Sequence, residues 1–160
     1  MLLAQVVADA PPAEVPFPDG YRKWMHISSA TMPPKKPATD APTQMGGDRP
    51  AAPHGVIRNI YANDIALEGY RTGHFPEGSV LVADWFVLEE KGGSLVQGPR
   101  QSLDVMIRDT RYGETGGWGF ETFDQDSRTT RKVGANAVKM CFECHTRVKD
   151  RDFVFSLLRP

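Results

Sequence analysis

Residues 79–89 read Ser79-Val80-Leu81-Val82-Ala83-Asp84-Trp85-Phe86-Val87-Leu88-Glu89, and this run decides the fold. β-Branched and aromatic side chains fill it, the types that suit a pleated, half-buried surface. Turn residues close both ends, Phe75-Pro76-Glu77-Gly78 before it and Gly92-Gly93 after it, so the run predicts a strand. Ser102–Asp109 (SLDVMIRD) alternates apolar and polar side chains and predicts another. Val56, Ile57, Ile60 and Tyr61 mark a third, and Trp118, Phe120 and Phe123 mark a fourth beyond a glycine-rich turn. Tyr21–Ser29 (YRKWMHISS) suits a short helix or a strand. Asp64–Thr72 (DIALEGYRT) predicts a short helix, with Asn63 or Asp64 as N-cap and Gly73 as its stop. Ala135–Val148 reads as the one substantial helix. Strands with helices at their margins give an α+β class: a predominantly antiparallel sheet, a few helices, and a C-terminal helix.

Working outward, 160 residues suit one domain, placed at 21–160. Residues 1–20 are alanine- and proline-rich, and Met1–Ala10 resembles the tail of an export signal without its positive start. That stretch reads either as a signal remnant or as an extended N-terminal segment. Within residues 31–53 lie Pro33, Pro34, Pro37, Pro42, Pro50 and Pro53, with Gly46 and Gly47. Such a density of breakers predicts a long irregular loop. A formal net charge of −1 argues against a nucleic-acid partner, which requires a basic face. No apolar run approaches the roughly 18 residues of a membrane span.

Both cysteines of the chain fall in Cys141-Phe142-Glu143-Cys144-His145, the spacing of a c-type haem attachment site. Two thiols three residues apart reach the two vinyl groups of one haem, and the following imidazole reaches the iron. A zinc site would need a fourth ligand and has no second cysteine pair. A thioredoxin-like redox pair would follow a strand in a βαβ unit. The motif therefore predicts one covalent haem c with its iron, held by Cys141 and Cys144 with His145 as metal ligand. Covalent attachment takes place outside the cytoplasmic membrane, so the expected location is the bacterial periplasm. Only the short tail Thr146–Pro160 follows the motif, so any sixth ligand comes from upstream. Met25, Met32, Met45, Met106, His26, His54 and His74 are the candidates, and an open distal position is the other reading.

Several fragments in order, Tyr21-Arg22-Lys23-Trp24, Ile60-Tyr61-Ala62-Asn63, Phe75-Pro76-Glu77-Gly78-Ser79-Val80, Gly116-Gly117-Trp118-Gly119-Phe120 and Asp152-Phe153-Val154-Phe155 after the haem motif, resemble the cytochrome P-460 superfamily. That superfamily includes the beta-type cytochromes c-prime. The resemblance implies an antiparallel sheet with haem packed on one face, in a homodimer. It also implies a division by function. Hydroxylamine-oxidising members link a lysine to the haem ring, and the corresponding position here is Ala83, which has no amine. Their distal glutamate corresponds to Asp104, a shorter carboxylate able to act as proton acceptor. Side chains two apart in a strand share a face, so Leu81, Ala83 and Trp85 would surround the distal side of the iron together with Asp104 and Met106. Asp84, between Val82 and Phe86, reads instead as a structural hydrogen-bonding group.

Three functions follow as expectations. The first is a periplasmic mono-haem cytochrome with an open distal site, binding nitric oxide or carbon monoxide and exchanging electrons with a small redox protein. The second is an oxidoreductase acting on hydroxylamine, nitric oxide or peroxide with Asp104 handling protons. The third is a six-coordinate electron carrier.

Overall fold

Turn chemistry and side-chain alternation produce five strands that pair in chain order. The computed structural model describes residues 14–34 and 51–158. Strands β1 (Met25–Met32), β2 (Val56–Ala62), β3 (Val80–Lys91), β4 (Ser94–Arg108) and β5 (Trp118–Asp124) form one antiparallel sheet, β1-β2-β3-β4-β5. The run at 79–89 is the central strand. Its near-continuous apolar character follows from neighbours on both edges and packing on both faces. Gly92 and Gly93, at φ 59° and 76°, make the tight turn into β4, a conformation glycine adopts without steric cost.

Two elements are longer or more divided than the residue patterns suggest. β4 starts at Ser94 rather than Ser102, because its first half extends a hairpin arm whose exposed residues carry no alternating signal. Tyr21–Ser29 divides into a single 3₁₀ turn, Tyr21–Lys23, and the start of β1. Thr31 and Met32 complete β1, so the strand enters the expected proline loop, of which residues 35–50 lie outside the described residues.

Helix α1 (Asp64–Thr72) has the expected ends. Asn63 Oδ1 accepts from the backbone N–H of Ala66 at 3.0 Å, and Gly73 stops the helix at φ 82°. Asn63 also joins the helix to β3, accepting from Val80 N–H at 3.0 Å and donating to the Gly78 carbonyl at 3.0 Å. The expected C-terminal helix over 135–148 is present, carries Cys141, Cys144 and His145, and is built of short pieces. Gly134–Asn136 is 3₁₀, Val138–Phe142 is π, Glu143–His145 is α, and Thr146–Arg151 is 3₁₀ with a kink at Val148. No side chain caps any of these pieces, and of their residues only Val148 is buried. Ala137, Cys141 and Phe142 pack against the core from this segment without being fully buried.

The sheet packs on both faces. One face carries Ile60, Ala62, Leu81, Trp118 and Phe120, joined by Ile27, by Ala66 of α1, by Phe75 and by Val154. The other carries Val82, Leu103, Val105 and Phe123 with Tyr21, and packing there reaches back to Val15 and Phe17, ahead of residue 21. Asp84 lies on this second face, only 1% exposed, and is fully engaged. It accepts from Tyr21 Oη, from Arg100 Nε at 2.7 Å and from Arg22 Nη2 at 3.3 Å. Among the described residues, no helix is long and apolar enough to cross a membrane.

Candidate functional site

Antiparallel register assembles the site. Leu81 pairs with Met106 and Ala83 with Asp104 across β3 and β4. Beyond them, Phe120 and Thr122 of β5 pair with Met106 and Asp104, and Ile60 and Arg58 of β2 pair with Ala83 and Trp85. These side chains form the floor of a cleft whose other wall is Met140, Cys141, Cys144, His145 and Val154–Ser156. The cleft encloses ≈ 1000 Å³ of atom-free space counted out to its open mouth. All eight residues singled out from the sequence, Leu81, Ala83, Trp85, Asp104, Met106, Cys141, Cys144 and His145, line it.

Of the upstream methionines and histidines, Met106 is the one brought to the cleft. Met25, His26, His54 and His74 are exposed elsewhere, Met32 ends β1, and Met45 lies outside the described residues. Met140 also lines the cleft, though it was not among the candidates.

His145 is oriented by the backbone. Its Nδ1 lies 2.7 Å from the Phe153 carbonyl, and a carbonyl only accepts, so the proton resides on Nδ1 and Nε2 keeps its lone pair. This is the hydrogen-bonding pattern that prepares an imidazole for a metal. Burial holds its pKa below the ordinary histidine range. The ring is packed by Phe120 and Phe155, with centroids 5.1 and 4.9 Å away. The accepting carbonyl is presented by an unusual bend, since Asp152 and Phe153 both have positive φ, 51° and 65°. Asp152 is fixed there by accepting from Phe75 N–H at 2.8 Å.

The two cysteines are free thiols, Cys141 half-buried and Cys144 exposed. Burial, with the nearby carboxylates of Asp104 and Glu121, pushes the Cys141 thiol up to about 12. Arg147 Nη2 donates to Cys144 Sγ at 2.6 Å. On the floor, Asp104 accepts from Trp85 Nε1 at 2.8 Å and from Thr122 Oγ1 at 2.9 Å. It is therefore a held carboxylate inside the cleft, not the solvent-facing residue of an alternating strand.

Arg58, Phe120, Thr122 and the Phe153 carbonyl complete the site without having been singled out. Strand alternation in 56–62 and 118–124 carries a signal for the first three, but choosing the correct face requires the register with β3 and β4. A backbone carbonyl leaves no mark in a residue pattern.

The residues fit a haem. An apolar floor, two free thiols at attachment spacing and an imidazole in the metal-ready tautomer meet in one cleft. Among the described residues, no group of three or more His, Cys, Asp or Glu gathers to hold a bare metal ion.

No curated protein matches the chain. A family model described as Cytochrome P460 matches residues 18–156, a span covering every strand and both walls of the cleft. This chain belongs to the cytochrome P460 family and is a haem cytochrome.

Proposed function

We propose that the chain is a periplasmic cytochrome carrying one haem c, with thioether bonds to Cys141 and Cys144, His145 as axial ligand, and a distal side open to nitric oxide or carbon monoxide. The observation that carries this reading is the composition of the floor. Ala83 stands where hydroxylamine-oxidising relatives have their linking lysine, and no lysine lines the cleft among the described residues.

When bound, the haem supplies a one-electron couple and an exchangeable ligand position. The rest belongs to the protein. Cys141 and Cys144 lie three apart on a helical turn and so share one side of it. The Phe153 carbonyl keeps His145 in one tautomer and one orientation. Leu81, Ala83, Met106 and Phe120 present carbon and sulfur to the cleft, limiting water and favouring an uncharged diatomic ligand. Electron exchange with a small periplasmic redox protein and, following the family resemblance, assembly as a homodimer complete the proposal. The oxidoreductase reading has one specific support: Asp104, held by Trp85 and Thr122, is a carboxylate placed to accept a proton.

Absorption spectra of the ferric and ferrous protein, with and without nitric oxide, test the proposal. The expected result is a high-spin or water-ligated ferric form and a nitric oxide complex in the ferrous form, with haem retained through acid-acetone. Haem released by acid-acetone would refute covalent attachment. Low-spin spectra in both states, lost in Met106→Ala, would establish the electron carrier instead. Sustained hydroxylamine turnover would move the protein to the enzyme branch.

A further inference from the structure

The cleft holds one cationic side chain whose hydrogen bonding is incomplete. The Nε of Arg58 is buried and has no partner among the described residues, a state costly for a group that always carries charge. That nitrogen donates to neither of the acids lining the cleft, Asp104 and Glu121. Asp104 is engaged by Trp85 and Thr122, and Glu121 accepts from the N–H groups of Thr122 and Val133 and from Arg131. Arg58 is also held in place, its guanidinium carbon lying 5.4 Å from the Trp85 ring centroid. A planar fork fixed on an aromatic face is the arrangement that binds a carboxylate in two-point fashion.

The position along the sheet identifies which carboxylate. Cys141 lies toward β5, since the ring of its neighbour Phe142 packs with its centroid 6.4 Å from that of Phe120. Arg58 is on β2, two strand steps from β4, which is roughly 10 Å at a spacing of about 4.8 Å per strand. On a haem c, the vinyl-derived thioethers occupy one half of the macrocycle and the two propionates the other. A haem bound through Cys141 and Cys144 on this floor would carry its propionates on the side away from those thioethers, where Arg58 of β2 stands. We infer that Arg58 is the binding site for a propionate carboxylate of the haem, an inference that rests on the covalent haem reading above.

The test uses the mature holoprotein and two variants. Arg58→Met keeps an apolar stem against Trp85 and removes the charge, and Arg58→Lys keeps the charge without the fork. In Arg58→Met the reduction potential falls, because a cation that favoured the ferrous state is gone. The pH-dependent step of that potential moves up by about one unit or more, because the propionate loses its opposite charge. Arg58→Lys restores most of both effects. Should Arg58→Met fail to fold, carbon-13-labelled haem carboxylates in the wild-type protein give the answer. One propionate must then titrate about one unit or more below the other, and equal titration overturns the inference. Haem attached in both proteins with unchanged potential and step overturns this inference alone. So does weakened azide or nitrite binding to ferric Arg58→Met with an unmoved step, which would assign Arg58 to external anions. Wild-type protein lacking covalent haem overturns both readings together.

Discussion

His145 and the Phe153 carbonyl, 2.7 Å apart, fix the one orientation on which the proposed axial ligation depends. Replacing His145 with alanine removes that nitrogen and leaves both thiols, so the variant should retain haem in acid-acetone while its visible spectrum changes in both oxidation states. An unchanged spectrum would mean that another residue holds the iron. At this scale, sequence legibility depends on whether the chemistry lies in side chains at fixed spacing. Cys141, Cys144 and His145 are legible because their motif is local. Asp104 is legible as a carboxylate in a strand, but its engagement by Trp85 and Thr122 is not, because those partners come from different strands. Arg58 is hidden for the same reason. Within VIRNIYA it resembles a solvent-facing residue until the register with Trp85 turns it into the cleft.

Helix α1 shows how an element can carry a residue that its own propensity disfavours. Gly69 sits inside it, and glycine costs a helix interior about 1 kcal/mol relative to alanine. A methyl group there would lie 2.3 Å from a Phe75 ring carbon. Phe75 is 6% exposed and held edge-on by Tyr70 and Trp118, so it has no room to retreat. Overpacking of this kind costs about 1–3 kcal/mol and should exceed the propensity gain. Gly69→Ala should therefore lower the unfolding free energy by about 1 kcal/mol in urea titration. A more stable variant would show that α1 is free to move away from Phe75. The boundaries of this helix were readable because Asn63 and Gly73 act locally. The terminal helical segment was readable in its place but not in its division into 3₁₀, π and α pieces.

Over the whole molecule, the antiparallel character of the sheet was legible from its strand runs. The half of β4 before Ser102 was not, being an exposed arm with Gly98 and Pro99 in it. The sheet is tied to the cleft wall through α1: Tyr70 Oη and Ser156 Oγ are 2.6 Å apart. Burial pushes the Tyr70 phenol up from 10.0 to about 12, the bond to Ser156 opposing this in part. A folded-state pKa raised in this way stabilises the protein fully below pH 10.0, and the contribution is lost as pH rises through about 12. Urea midpoints should therefore fall across that alkaline window. Tyr70→Phe should be less stable below the window and should flatten the fall, with the raised Tyr21 and Tyr112 sustaining what remains. An identical alkaline slope in the variant would exclude Tyr70 as a contributor. The bend at Asp152 and Phe153 has a further consequence. Two successive non-glycine residues in the left-handed region cost about 1–3 kcal/mol each, and undoing the bend returns that energy. The strain that presents a carbonyl to His145 thus lowers the work of peeling the tail away. Val154, 2% exposed, is then the contact that keeps this strained wall on the floor.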